Sequence, residues 1–329
     1  MAYTITASNV NEAFAEVFWK LRTYPTHERN TRNGPAITFT DTFIITYLRP
    51  QERVLFHEGR DANPIFHLLE SIWMLAGRND VAFLERFNSR IGQYSDDGVT
   101  FNAAYGYRWR RHFGFDQLLA VIDLLRRDPQ TRQAVIQIWD PADLSKATKD
   151  KACNTQVIFE TQAGQLDMTV LNRSNDIWWG ALGANVVHFS VLQEFVATAL
   201  GVPLGVYRQV SANLHLYRNL YKADQYITLP PQSSDYDRYW RGLVKPRPLM
   251  IDPDPQLFLY ECEWFCVDPL APNPYRNTFL SDVARPMAMV SAARRAGETG
   301  RKEAASVGAE DWRYAAMSWV ERREAARQR

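Results

Sequence analysis

KACNTQVIFETQAGQLDMTVLNRSND, residues 151–176, carries two apolar segments around a short polar turn. Thr155–Thr161 and Leu166–Leu171 read as strands. Gln162-Ala163-Gly164-Gln165 between them reads as a hairpin turn. Cys153 stands between Lys151 and the first strand, where a nearby cation can lower a thiol pKa and raise the thiolate fraction. Arg173-Ser174-Asn175-Asp176 ends the second strand, and an Arg plus a hydroxyl at a strand end can hold a phosphate. Each feature has a plainer reading. A lone Cys is commonly a small buried hydrophobe, and a strand-end Arg is commonly a salt-bridged surface residue.

Outward from this hairpin, helices and strands are interspersed. Upstream, Asn9–Leu21 is expected to be a helix with Val10, Phe14, Val17 and Phe18 on one stripe. The basic segment His27–Gly34 reads as a loop and Ile37–Leu48 as one strand. Pro64 opens a helix running through Leu75 to Gly77. Phe83–Phe87 is a short helix, and Phe115–Arg127 is a longer one with Asp116 in its first turn and two Arg at its end. Ala134–Trp139 reads as a strand. Downstream, Val187–Leu200 is a long apolar helix that Gly201 can end. Val206–Leu216 reads as a strand. His215 and Tyr217 alternate there, so they share a face, either to bind a sugar hydroxyl or as a core pair. The Pro- and aromatic-rich region Pro230–Tyr275 is expected to hold short strands at most, and Asp311–Arg327 a surface helix. These elements imply an α/β catalytic domain over residues 1–290 and a helical extension over 291–329.

Composition narrows the function classes. The chain has 329 residues, with 38 Lys+Arg against 37 Asp+Glu, so no global field favours nucleic acid. Any anion must be held by locally placed arginines. The N-terminus lacks a basic start followed by an apolar run, and no stretch approaches the roughly 18 apolar residues of a membrane span. Three cysteines, an odd number, argue against a disulfide framework and fit a cytoplasmic, reducing setting. His and Cys show no metal-ligand spacing, and Cys262-Glu263-Trp264-Phe265-Cys266 has no matching second pair.

Taken together, these segments resemble the thymidylate synthase family over roughly residues 10 to 290. Pro64–Gly77 resembles its Glu-x-x-Trp-x-Leu-x-Gly helix, with Glu70 and Trp73 in place. Ala104–Arg110 resembles Tyr-Gly-x-x-Trp-Arg, and Asp128-Pro129-Gln130-Thr131-Arg132 resembles Asp-Pro-x-Ser-Arg. Cys153 stands where the nucleophile belongs, 20 positions before Arg173 of Asn172-Arg173-Ser174-Asn175-Asp176. Gly180–Asn185 is similar to Gly-x-Pro-Phe-Asn, and His215-Leu216-Tyr217 to His-x-Tyr. Seven weak matches in the right order make chance improbable.

The resemblance implies an α+β fold with a central mixed sheet flanked by helices, and a homodimer packed through that sheet. It implies transfer of a one-carbon unit from 5,10-methylenetetrahydrofolate to C5 of a pyrimidine nucleotide, with no metal and no direct contact to nucleic acid. Cys153 would add to C6 of the ring. Glu70, ordered water and Tyr105 would move protons. Arg32, Arg173, Ser174 and the partner subunit's copy of Arg132 would hold the phosphate. His215 and Tyr217 would bind the sugar 3′-hydroxyl. Asn185 would read the base edge, and Asp176 would bind the pterin.

Several positions depart from the family pattern. Asn154 replaces the His after the nucleophile, Ala152 the Pro before it, and Gln133 the second Arg of a pair. Ile91 stands where a Trp is expected near the folate, and the Gly180–Asn185 loop is one residue longer. These changes gather where an exocyclic methylene would sit. A site that excludes water favours hydride transfer and a 5-methyl product. Admitting water favours a 5-hydroxymethyl product, as in bacteriophages that modify their DNA bases. The substitutions lean to the hydroxymethylase, with a true thymidylate synthase as the alternative. Asn185 favours dUMP over dCMP, because its neutral amide both donates and accepts. A non-catalytic nucleotide- or RNA-binding role would not need the thiol.

Overall fold

The computed structural model describes residues 2–220, 224–272 and 275–327. Among these, the strands are β1 (Tyr3–Ala7), β2 (Thr26–Thr31), β3 (Gly34–Phe39), β4 (Phe43–Tyr47) and β5 (Val135–Gln137). They continue as β6 (Asn154–Gln162), β7 (Gln165–Asn172), β8 (Asn175–Asp176), β9 (Leu204–Ser211) and β10 (Leu214–Tyr217). A six-stranded mixed sheet has the order β1-β4-β9-β7-β6-β5, and a four-stranded sheet the order β2-β3-β10-β8. The hairpin at 151–176 forms as expected. Ala163 and Gly164 both take positive φ, 49° and 77°, as a two-residue turn matched to strand twist requires.

Two expected strands are each broken in two. Ile37–Leu48 turns a corner after Phe39, so that β3 lies in the small sheet and β4 in the large one. Val206–Leu216 turns at Ala212-Asn213, so that β9 and β10 divide in the same way. Each corner is only two or three residues between apolar, β-favouring runs, and its turn-favouring Asp41 or Asn213 was overridden by the flanking strand signal. The basic loop at 27–34 is largely edge strand β2, paired antiparallel with β3. Its exposure hid any alternation.

The long helices are α1 (Val10–Thr23), α2 (Pro64–Leu75), α3 (Gln117–Arg127), α4 (Asn185–Leu200), α5 (Pro255–Val267), α6 (Arg285–Arg295) and α7 (Glu310–Arg327). The short helix expected at 83–87 runs over Val81–Glu85. Local signals set the starts: the Asn63 and Asp116 side chains accept backbone N–H groups of the first turns, and Pro64 sits at the first helical position. Gly201 at φ 72° ends α4. α5 overturns the expectation of short strands at most in Pro230–Tyr275. Its own start signal, Asp254 as cap and Pro255 at the first position, was masked by a proline- and aromatic-rich composition.

α2 and α4 pack together, and α4 lies against β7 and β9. α4 is buried nearly all round. The tail differs from a surface helix. Asp311, Trp312, Ala316 and Val320 of α7 are buried, and α7 packs on α2. Residue 290 falls inside α6, where Val290 is fully buried.

Candidate active site

Cys153 immediately precedes β6. The β6–β7 register shifts between Asn154 and Gln156, so a bulge turns this end of β6 out of the regular ladder. Arg173, at the matching end of β7, holds the cysteine segment in place. Its backbone N–H donates to Cys153 O at 3.0 Å, its Nε to Ala152 O at 2.8 Å and its Nη2 to Lys151 O at 3.1 Å. The same Nη2 lies 3.9 Å from Cys153 Sγ. From the other side, the Tyr105 hydroxyl accepts the Cys153 N–H at 3.4 Å. Tyr105 is brought there by Gly106: a Cβ at that position would lie 1.9 Å from Met74 O, so only glycine lets this turn rest on α2.

Cys153 keeps some exposed surface, yet its thiol is enclosed densely enough that burial pushes its pKa up. Arg173 opposes this, Asp150 adds to it, Arg32 opposes and Asp176 adds. The expected lowering by a nearby Lys is therefore corrected. The cations are Arg173 and Arg32, and Lys151 supplies a carbonyl 3.9 Å from the sulfur. Asp150 was not anticipated. It accepts the Ala103 N–H at 2.7 Å and ties the cysteine loop to the Tyr105 segment. Burial also pushes the Tyr105 phenol up.

Three amides run inward from the cysteine. Asn154 Nδ2 donates to Asn185 Oδ1 at 3.4 Å, and Asn185 Nδ2 donates to Asn175 Oδ1 at 3.1 Å. Asn175 Nδ2 is anchored on Gln209 Oε1 at 3.0 Å and Ser211 Oγ at 3.1 Å. This chain fixes how Asn185 faces, because each amide's donor end is defined by the next acceptor. The extra loop residue is absorbed before α4. Ile177–Ala184 forms a π-turn with non-helical backbone at Leu182 and Gly183, and Asn185 N–H donates to Gly180 O, five residues back. A Cβ on Gly180 would stand 2.6 Å from Asn175 Oδ1, so the loop needs glycine there.

The small sheet carries the next group. His215 and Tyr217 share a face, with rings 4.9 Å apart. His215 is buried, which pushes its pKa down against the pull of Asp176, and its Nδ1 has no partner. The Tyr217 hydroxyl accepts from Asn33 Nδ2 at 3.3 Å, and the adjacent Arg32 donates to Lys149 O at 2.8 Å. Half-buried Ser174 follows Arg173. Asp176 pairs in register with His215 and accepts the N–H groups of Trp178 and Trp179 at 3.3 and 2.9 Å. Trp179 is 41% exposed, leaving an aromatic face beside that carboxylate. Two expected site residues stand apart. Arg132 lines an open depression of about 430 Å³ with Asp128, Gln130, Thr131 and Gln133. Ile91 is buried in the hydrophobic core.

The helices bring a further pair together. Glu70 on α2 and His188 on α4 approach each other, Oε2 to Nε2, at 3.1 Å. His188 was missed by sequence reasoning because it stands in an apolar helix outside every motif. So was His67, one turn before Glu70, whose pKa burial pushes well down, with Arg60 and His188 adding to the effect. Among the described residues, no group of three or more His, Cys, Asp or Glu is placed to hold a metal ion. No helix there is long and apolar enough to cross a membrane.

The thymidylate synthase family model matches residues 62–232. A deoxyuridylate hydroxymethyltransferase of Pseudomonas phage M6 is 44% identical over 335 residues, covering 98% of this chain and 95% of that protein. Proteins of the same name from Bacillus phage SP01 and Delftia phage PhiW-14 are 43% and 33% identical over 202 residues. Those matches cover 58% of this chain and 53% and 56% of the relatives, about half their length. The crystal structure of thymidylate synthase from T4 phage shares the fold, with a TM-score of 0.54 at 20% identity, over 67% of this chain and 80% of that one.

Proposed function

The chain belongs to the thymidylate synthase family, and on that premise we propose that it hydroxymethylates dUMP at C5, with 5,10-methylenetetrahydrofolate as the one-carbon donor. The observation that carries this reading is the amide chain Asn154–Asn185–Asn175 beside Cys153. It offers uracil a neutral group that both donates and accepts, and it puts a polar amide next to the nucleophile. The name of the phage M6 relative, matched along nearly the whole chain, points the same way.

Cys153 Sγ adds to C6, and the electron pair moves to O4, leaving C5 nucleophilic. Burial favours the neutral thiol, so the Arg173 guanidinium at 3.9 Å is the group that stabilises the thiolate. The folate supplies the carbon that C5 attacks. Glu70, half-buried and 3.1 Å from His188, moves the C5 proton through water together with Tyr105. Asp176 and Trp179 suit the pterin, as a carboxylate for its N–H groups and an aromatic face for its ring.

Arg32, Arg173 and Ser174 hold the nucleotide phosphate, while His215 and Tyr217 take the 3′-hydroxyl. Arg132 completes the phosphate site from a second copy of the chain. Across the large sheet, Ile44 pairs with Val210, and Leu171 is the next neighbour on that face. All three are only half-buried, as is Ile158. This apolar face supports a homodimer packed sheet to sheet. Three free cysteines fit a reducing cytoplasm.

Mass analysis of the product tests the reading. With dUMP and methylenetetrahydrofolate we expect a hydroxymethyl product, one oxygen heavier than the methyl product, without accumulation of dihydrofolate. A methylated product with stoichiometric dihydrofolate would make the protein a thymidylate synthase.

A further inference from the structure

His188 stands out among the buried polar groups. It is 5% exposed, and no hydrogen bond reaches its Nε2. Glu70 Oε2 lies 3.1 Å away but off the direction in which the ring nitrogen bonds. A buried nitrogen without a partner is costly unless something polar meets it during function. A second orphan lies nearby in the same construction: Asn154 Oδ1 is also buried and unpartnered. The two are linked through α4. Asn154 bonds to Asn185, and His188 follows Asn185 by three residues, so both side chains lie on one face of the helix. Asn154 beside Cys153 is thus linked through Asn185 and α4 to His188 and Glu70, with open hydrogen-bonding capacity at Asn154 and His188.

We propose that His188 is a catalytic residue of the hydration step, holding with Glu70 the water that adds to the exocyclic carbon. A water in the plane of the imidazole reaches Nε2 and the neighbouring carboxylate, giving it two polar partners in an enclosed site. The inference rests on the hydroxymethylase reading above. Water oxygen bonds to the exocyclic carbon, and the alkene pair passes through C5 to O4. The proton released from the water goes to His188 Nε2. Collapse of the enolate re-forms the C5–C6 double bond and expels the Cys153 thiolate. Without a proton acceptor at this place, the methylene forms but is not hydrated.

The test uses the full chain with His188→Leu, and with His188→Gln as the variant that keeps a polar group of similar size. Release of tritium from C5-labelled dUMP is measured in a single turnover, beside formation of the hydroxymethyl product. We expect the product to fall about 100-fold, the usual worth of a positioned base. Tritium release should stay within a few fold, and trapping of Cys153 by 5-fluoro-dUMP with folate should be unchanged. A purely structural role would lower all three together. Equal loss of tritium release and product in the folded Gln variant overturns the proposal, as does a product rate close to that of the unaltered protein. Failure of the underlying reading is seen separately, in the unaltered protein, as a methyl product.

Discussion

Around Cys153, buried amide and imidazole atoms are left without partners; around Tyr239 and Asp311 the carboxylates and the phenol are paired, though Arg238 Nε and Trp319 Nε1 are not. The first region contains the orphaned Asn154 Oδ1, His188 Nε2 and His215 Nδ1. In the second, Asn9 donates to Glu52 at 2.8 Å and to Asp237 at 2.9 Å, and Asp237 accepts the Tyr239 N–H at 3.0 Å. The Tyr239 hydroxyl donates to Asp311 at 2.8 Å. Arg53 pairs with Glu194, which also accepts from Gln51 at 2.8 Å and Leu249 N at 3.0 Å. Carboxylates whose acceptors are already taken specify one packing and have little left for a ligand. An unsaturated network is stable only if a ligand or water completes it. On the proposed function the first region is the one that substrate and water complete, and the second fastens the tail helix α7 to the body of the fold.

Substitutions can break this contrast. The largest effect is expected at Cys153→Ala. Turnover should fall by about 1,000-fold or more, while dUMP binding and thermal stability change little, because the thiol acts covalently and the phosphate is bound elsewhere. Steady-state kinetics beside calorimetry checks both halves. Residual turnover near that of the unaltered protein would remove Cys153 from the mechanism.

Arg53→Ala should show the opposite pattern. It leaves the buried Glu194 carboxylate without its cation, held only by Gln51 and the Leu249 N–H, which costs about 3 kcal/mol. Denaturant unfolding should show that loss, while the folded fraction keeps its turnover. An unchanged midpoint would mean that the network does not fasten the fold.

These two residues also differ in how readable they were. Cys153 and Arg173 could be found because a fixed spacing on two paired strands leaves a motif. Arg53, Glu194 and Asp311 come from segments far apart in the chain, and nothing local marks them. The same holds for the fold. Hairpin β6–β7 was legible because its turn residues and apolar runs are local. The corners at Thr40–Thr42 and Ala212-Asn213 were not, because a lone Asp41 or Asn213 inside a long β-favouring run is a weak turn signal. α7 was legible as a helix but not as a buried one, since its Ala-rich face looks the same whether it meets water or α2. His188 had no legible role because an isolated His in an apolar helix is ordinary until Glu70 is placed opposite.

Arg173→Ala probes the border between binding and chemistry. Charge-assisted contacts of this kind contribute about 1.5–3 kcal/mol each, so the Kd for dUMP should rise roughly 10- to 100-fold. Arg173 also grips the Ala152 and Lys151 carbonyls, so reactivity of Cys153 toward an alkylating reagent should fall as well. Unchanged dUMP affinity in calorimetry would exclude Arg173 from the phosphate site.

The smallest expected effect sharpens the contrast from the other side, through pH. Burial raises the Asp311 carboxyl from 3.8 to about 6, against the hydrogen bond from Tyr239. The folded state therefore holds this proton more tightly than the unfolded state does. As pH rises from about 4 through 6, the folded protein must surrender the proton and keep a buried charge, so this group's contribution to stability falls. Above that window the loss is complete and constant. Between pH 5 and pH 7 the decline amounts to about 1 kcal/mol. Asp311→Asn keeps an oxygen for the Tyr239 hydroxyl and removes the titration. The variant should thus lose less stability than the unaltered protein between those two values, while hydroxymethylation at neutral pH stays the same in both. Paired unfolding curves at pH 5 and pH 7 measure the difference directly. If both proteins show the same pH dependence, Asp311 does not titrate in this window, and the tail is held by its buried apolar face, Trp312, Ala316 and Val320, rather than by the polar network.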